Sequence, residues 1–382
     1  MSERQQRPVL AALILAAGYS SRMGRFKALL PMCSESIIAR VVGTFRQAGI
    51  DRIVAVTGHS ADQLEPELHG MSVCAVRNPD YSRGMYSSVQ AGIAVLPPNV
   101  DACFLLPVDI PLVRPTTIAT LAARFAEERA PITFPCFTGL RGHPPLISRA
   151  LFAEILNDNG DGGLRVLLES HQAAAADVEV LDEGILLDMD TPENYAQLAS
   201  LALCRHLPTP AECEAILASR PTAEPLRRHG RAVAAVAKTM TNRLAARGTV
   251  LDLNLVLAAS LLHDIAKGQP SHAEAGAALV TSLGYPMVAD VIRQHMSISF
   301  DGDTPDEAAI VFLADKLVSK DRRIPLEERY RPSLERFRDQ PDALQGATHR
   351  YETARAILAV IERKAKASLS EILFDCEVPT CR

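Results

Sequence analysis

At 382 residues the chain is longer than one hydrophobic core usually organises, which predicts roughly two or three domains. It is 48% apolar and 22% charged with a formal net charge of −5, an ordinary globular balance that excludes a predominantly basic nucleic-acid-binding surface. No apolar run reaches the ~18 residues that cross a bilayer, and the eight cysteines form no C-x-x-C pair, so reduced, cytoplasmic thiols are expected and neither a disulfide framework nor a zinc ribbon.

The opening "MSERQQRPVL" leads into a strand without a cleavable-signal pattern. Strand candidates follow in order: "VLAALILAA", "RIVAVT", "SVCAV", "DACFLLPV", "PITFPC", "DVEVL" and "ILLDM". Helix-period segments lie between most of them, at 36–48, 85–96 and 115–127. Continuous apolar strands alternating with helices predict a doubly wound, mostly parallel α/β sheet, whose ligands bind at the carboxyl ends of the strands. Near "CRHLPTPAEC" Pro208 and Pro210 interrupt the pattern, and afterwards no convincing strand appears. The expected organisation is therefore an α/β domain over 1–204, an all-α domain over 205–370 and a tail over 371–382.

The first strand ends in "LILAAGYSSRMGRFKALLP". This loop is neither a Walker A motif nor G-x-G-x-x-G. A Gly/Ser-rich turn after a strand can still present backbone N–H groups to an anion, with Arg22 and Lys27 adding side-chain charge. A solvated basic turn is the plain alternative. "LLPVDIPLV" puts Asp109 just past an apolar strand, where a carboxylate can hold Mg²⁺ against phosphates. In "LLDMDTPENYAQL", Asp188 and Asp190 are expected to end another strand before a helix starts at Thr191. Either aspartate alone reads more economically as a helix N-cap; two strand-end carboxylates with a basic loop favour a metal–triphosphate site.

Together these segments resemble the nucleotidyltransferases of molybdenum-cofactor maturation over roughly residues 9–200, and in particular the molybdenum cofactor cytidylyltransferases. The signature loop is similar in Leu15, Ala16, Ala17, Gly18, Arg22 and Lys27. "NPDYSRGMYSSVQAGI" is similar to the segment lying against the nucleotide, which implies contacts from Asn78, Gly84, Ser87 and Ser88. The resemblance implies Mg²⁺ on Asp109 and Asp190, and a pterin-facing side at "GLRGHPPLISRALFAEI" and "NGDGGLRVLL". It implies transfer of a nucleotidyl group from an NTP to molybdenum cofactor with release of pyrophosphate, and Leu-Ala-Ala-Gly leans toward CTP. A molybdoenzyme or its chaperone is an implied further partner; neither nucleic acid nor membrane is. Ile110 stands where the family usually has Gln, and "PMCSESIIA" where it has a Gly-containing turn; both departures bear on the acceptor more than on the reaction. His143 in "RGHPP" is a substrate-contact candidate, although a lone turn histidine is more often structural. The alternatives are transfer to another small phosphate, such as a sugar phosphate, and a non-catalytic nucleotide-regulated scaffold for loading molybdoenzymes.

In the helical half, His229, His263, Asp264, His272, His295 and Asp315 fall in apolar surroundings. A buried carboxylate at Asp315, inside "AAIVFLADKLV", is costly unless neutralised, and neutral imidazoles with carboxylates are ligands for first-row divalent metals. The His-Asp pair with Lys267 resembles the HD superfamily of metal-dependent phosphohydrolases over roughly 211–330. That resemblance implies His229, His263, Asp264 and Asp315 as core ligands, His272 and His295 as ligands of a second metal, and Lys267 as a phosphate contact. One or two ions of iron, manganese or zinc are expected there. This half is then either an active hydrolase or a sensor of metal or nucleotide that gates the transferase.

Overall fold

The computed structural model describes residues 7–19, 23–220 and 224–380. They form two compact units that divide between Arg205 and His206.

The first unit is built on β1 (Leu10–Ala16), whose apolar run LAALILA is buried along nearly its whole length. A small hairpin, β2 (Pro31–Met32) with β3 (Glu35–Ser36), leads into α1 (Ile37–Gln47), capped by the Ser36 hydroxyl, which accepts from the Ala39 N–H. Then come β4 (Ile53–Thr57), α2 (Ala61–Gly70), β5 (Cys74–Arg77), α3 (Met85–Ala94), β6 (Ala102–Pro107) and α4 (Pro115–Glu128). Proline at the first position of α4 costs no hydrogen bond, because that N–H has no helical partner. The unit continues through β7 (Ile132–Phe137), β8 (Leu140–Arg141), β9 (Leu146–Ser148), α5 (Phe152–Asn157), α6 (Gly163–Ser170), β10 (Ala176–Glu179) and α7 (Pro192–Leu203).

The strand order is β10-β7-β9-β6-β1-β4-β5, with β8 paired to β7. Parallel ladders join β1 to β4 and β6, β4 to β5, and β7 to β10. In this sheet, among the described residues, β8 and β9 run antiparallel to the strands they pair with. The sheet is thus mostly parallel, and helices cover it, as the strand–helix alternation predicts.

Two local readings are corrected. "ILLDM" is not a strand: the buried Asp182 carboxylate accepts from the Gly184 N–H and starts a 3₁₀ turn over Glu183–Leu186. A Cβ at Gly184 would sit 2.2 Å from the Leu112 carbonyl oxygen, so the segment is pressed onto a loop instead of lying in the sheet. Conversely, "LIS" at 146–148 is a strand between β6 and β7. At three residues after Pro144 and Pro145, it is too short to show a period.

The second unit is helical: α8 (Pro210–Ala218), α9 (Glu224–Ala245), α10 (Leu253–Leu262), α11 (His272–Ser282), α12 (Pro286–Gln294) and α13 (Glu307–Lys316). It does contain a hairpin, β11 (Val318–Ser319) with β12 (Arg322–Arg323), where sequence alone shows no strand. Then follow α14 (Leu326–Arg336), α15 (Pro341–Ala365) and the short α16 (Leu369–Ile372). α10 and α13 are the core helices, with apolar residues all round. Beyond residue 370 the chain is packed, with Ile372, Leu373, Cys376 and Val378 buried. Among the described residues no helix is long and apolar enough to cross a membrane.

Candidate functional sites

In the first unit a cavity of about 320 Å³ opens at the carboxyl ends of β1 and β6. Leu15, Ala16, Ala17 and Gly18 line one wall, Gly84 and Ser88 at the start of α3 another, and Lys27 and Asp109 the third. The Val108 N–H donates to the Leu15 carbonyl, and a turn closed by Ile110 N–H on Pro107 O holds Asp109 beside the β1 loop. Asn78 and Ser87 sit behind the cavity. Asn78 is buried; its amide donates to the Ser87 and Ser88 hydroxyls at 2.9 Å each and its carbonyl accepts from the Asp80 N–H. It therefore sets the geometry of the loop and of the first turn of α3. Arg22 lies outside the described residues.

At one end of the cavity the Lys27 ammonium lies 3.0 Å from Asp109 Oδ2 and 2.9 Å from Asp190 Oδ1. Burial alone would lower the Lys27 pKa, but hydrogen bonds to Asp190 and Asp109 outweigh it and hold the group above its ordinary value. Asp190 is not at a strand end. It precedes α7, whose cap is Thr191: the hydroxyl accepts from Asn194 N–H while the Asn194 carbonyl accepts from Thr191 N–H. The capping duty is thereby discharged elsewhere, and Asp190 faces Lys27. Two carboxylates are hard oxygen donors of the kind Mg²⁺ takes, and the ammonium between them marks where positive charge is required.

Features not read from the sequence support this cavity. A Cβ on Gly58 would meet the Ala17 oxygen at 2.7 Å and the Tyr81 Cβ at 2.8 Å, so only glycine lets the β4 loop close on the β1 loop. Tyr19, His59 and Tyr81 form an aromatic group at the rim, with ring centroids 4.9 Å (Tyr19–His59) and 5.4 Å (Tyr19–Tyr81) apart. Spacing in the sequence gives no hint of that contact. His143 is held below its ordinary pKa by burial, against the pull of the Asp109 charge, and its Nδ1 is buried without a partner.

In the second unit the helices bring all six His and Asp candidates together. His229 comes from α9, His263 and Asp264 from the end of α10, His272 from the start of α11, His295 from the end of α12 and Asp315 from α13. Asp315 Oδ1 is 3.1 Å from His229 Nε2 and 3.6 Å from His263 Nε2. Asp264 Oδ2 is 3.5 Å from His263 Nε2 and 4.0 Å from His229 Nε2. Its other oxygen, Oδ1, is 3.3 Å from His272 Nε2 and 3.6 Å from His295 Nε2. Two ligand-spaced groups result, His229–His263–Asp264 and Asp264–His272–His295, sharing one carboxylate.

The outer contacts fix the rings for this purpose. His229 Nδ1 contacts the Lys320 carbonyl at 2.8 Å, His263 Nδ1 the Ser260 carbonyl at 2.8 Å and His295 Nδ1 the Ile292 carbonyl at 2.7 Å. In each contact the Nδ1–H donates to a carbonyl, which turns Nε2 inward as a potential ligand atom. Lys320 reaches its position at φ 58 in the turn of the β11–β12 hairpin. Meanwhile His263 Nε2 and Asp264 Oδ1 are buried with no hydrogen-bond partner. Such orphans are expensive, and a cation would satisfy both. Two lysines also offset the charge of the aspartates. Lys267 Nζ lies 2.7 Å from Asp264 Oδ2, and the buried Lys316 Nζ lies 2.6 Å from Asp315 Oδ2. Burial would lower the His263 pKa, yet the adjacent Asp264 and Asp315 push it up to about 10. The donor set and the orphaned atoms fit a divalent transition metal, or a pair bridged by Asp264.

Comparison with known proteins finds a family match in each half of the chain. A family model described as a MobA-like NTP transferase domain matches residues 12–175, and one described as an HD domain matches residues 226–319. A molybdenum cofactor cytidylyltransferase of Escherichia coli (strain K12) is 29% identical over 186 residues, 48% of this chain and 92% of that one. The purine catabolism protein PucB of Bacillus subtilis (strain 168) is 31% identical over 201 residues, 49% of this chain and 95% of that protein. A nicotine blue oxidoreductase of Paenarthrobacter nicotinovorans is 30% identical over 200 residues, 50% of this chain and 97% of its own length. With the strand-end cavity and the His/Asp cluster both in place, the chain belongs to the MobA-like NTP transferase family and is a nucleotidyltransferase with an HD domain following it.

Proposed function

We propose that the first unit transfers a cytidylyl group from CTP to molybdenum cofactor, and that the second is a metal-dependent phosphohydrolase. The observation that carries the first reading is the Lys27–Asp109–Asp190 cluster at the end of a cavity walled by the Leu15–Gly18 segment. A phosphate oxygen of the acceptor attacks the α-phosphorus of CTP; the bond to the β-phosphate oxygen breaks and pyrophosphate leaves. Such in-line displacement depends on positioning and charge neutralisation. Asp109 and Asp190 would hold Mg²⁺, which when bound supplies positive charge to the reacting phosphates. Lys27, charged throughout the neutral range, turns from the carboxylates to the leaving pyrophosphate, where Arg22 joins it. Asn78 acts one step removed, by fixing Ser88 and the first turn of α3. Leu-Ala-Ala-Gly at the cavity wall and the E. coli relative support CTP and molybdenum cofactor.

In the second unit His229, His263, Asp264 and Asp315 would hold one metal, and His272 and His295 a second through Asp264. Iron, manganese and zinc suit this nitrogen-rich set better than Mg²⁺ does. The metal, when bound, supplies an activated water, and Lys267 offers a cation to the phosphate under attack. Pyrophosphate release from CTP, GTP and ATP, with and without molybdenum cofactor, tests the first reading; cofactor-independent rates would refute the acceptor. Elemental analysis of protein purified without chelators tests the second, and a metal-free protein that stays empty when supplied with these ions would refute it.

A further inference from the structure

A second cavity of about 430 Å³ reaches the same His/Asp cluster from the side of α14 and α15, beyond the segment that matches the HD domain. Asp264 and Asp315 are its only acidic lining residues, against five cations: Lys267, Lys316, Arg329, Arg336 and Arg350. Lys267 and Lys316 are already spent on the two aspartates. Arg329, Arg336 and Arg350 have no ion pair among the described residues. Arg231 pairs with Glu214, and Arg293 with Glu274 and Asp290, but Arg243, Arg247 and Arg355 have no ion pair either; what sets Arg329, Arg336 and Arg350 apart is that all three line one cavity. Three unpaired guanidinium groups around one mouth repel each other, which an anionic guest would relieve. Tyr330, between them in sequence, ties α14 to α15 by donating to the Arg350 carbonyl at 3.3 Å, so the two helices present their arginines from a braced frame.

We propose that Arg329, Arg336 and Arg350 form an anion subsite for a second phosphate, adjacent to the one that the Asp264–Asp315 pair and its metal engage. The inference rests on the phosphohydrolase reading and sharpens it: the substrate is a diphosphate or longer polyphosphate, not a phosphate monoester. Arg329 also lines the roughly 660 Å³ cavity on the other side of Lys267, which Arg220 and Lys320 make basic as well. A phosphate chain crossing the cluster therefore meets positive charge at both ends, and the larger cavity leaves room for the rest of the molecule.

The test uses full-length protein with hydrolysis-resistant probes, methylenediphosphonate and methylphosphonate, titrated calorimetrically, with metal content measured on each sample. Wild type is expected to bind diphosphonate at two sites, one removed by Lys27→Ala. The other should weaken at least about tenfold in the Arg336→Gln/Arg350→Gln double variant, while methylphosphonate affinity stays within about threefold and the metal content is unchanged. Arg336→Gln alone changes an exposed side chain and should weaken diphosphonate binding in the same direction, which guards against misfolding of the double variant. Equal losses for both probes, or none, would overturn the subsite. A protein without metal that retains arginine-dependent diphosphonate binding would keep the subsite and refute the hydrolase reading; a metal-loaded protein without diphosphonate preference would do the reverse.

Discussion

Replacing Lys27 by methionine separates the structural from the catalytic role of the first cluster. The ammonium is 11% exposed and bridges Asp109 and Asp190, which are 27% and 42% exposed. Charge-assisted contacts are worth about 1.5–3 kcal/mol when buried and much less when half-exposed, so the variant should lose about 1–2 kcal/mol of stability without divalent ions. The sign with pH follows from the raised Lys27 pKa. The contribution is fully present below the unfolded value of 10.5 and is lost as pH rises through the folded one, so wild type and variant should converge in stability only in strong alkali. Mg²⁺ should stabilise the variant more than wild type in a thermal melt, because in wild type the ion must displace the ammonium. Turnover measured as pyrophosphate release should fall by about one to two decades, the loss of one charge-assisted contact in the transition state. Unchanged release would refute the assignment of this loop. An equal Mg²⁺ effect in both proteins would refute the shared position of ion and ammonium.

Asp264→Ala should abolish bound transition metal in elemental analysis while leaving pyrophosphate release near wild type, since its partners are all in the second unit. In side-by-side turnover CTP should exceed GTP and ATP; a clear GTP preference would reverse the donor assignment. Gly58→Ala should raise the KM for nucleotide and cost more than about 1 kcal/mol in denaturant unfolding, because the new methyl strikes the Ala17 carbonyl. Iodoacetamide should label the exposed Cys33 and Cys74 in native protein. It should spare Cys103, whose thiol burial pushes up to about 12, and Cys136, pushed up to about 11; mass spectrometry reads both.

Much of the architecture is legible in the sequence because burial on both faces writes long apolar strands such as "ALILAA", and helix-period segments lie between them. The His/Asp cluster is legible for a related reason: titratable residues inside apolar helices have few inexpensive explanations. What the sequence hides is contact between distant loops. Asp190 reads as a strand end because "ILLDM" is apolar, yet Asp182 and Gly184 bend that segment into a turn. Asn78 reads as a ligand contact because of its company, whereas its amide is consumed by Ser87 and Ser88. Gly58 and the Tyr19–His59–Tyr81 group carry no signature, since their meaning arises only when β1 and β4 lie side by side. The α14–α15 arginines look in one dimension like any solvated helical face.

The turn between β11 and β12 has an implication for protein engineering. Surface hairpins are usually where insertions, tags and circular permutation are tolerated. Here the carbonyl of Lys320, in the middle of that turn, orients the buried His229 ring. A graft at 319–322 would therefore reach the His/Asp cluster through one misdirected peptide group, so split or tagged versions of this protein should be opened at other loops.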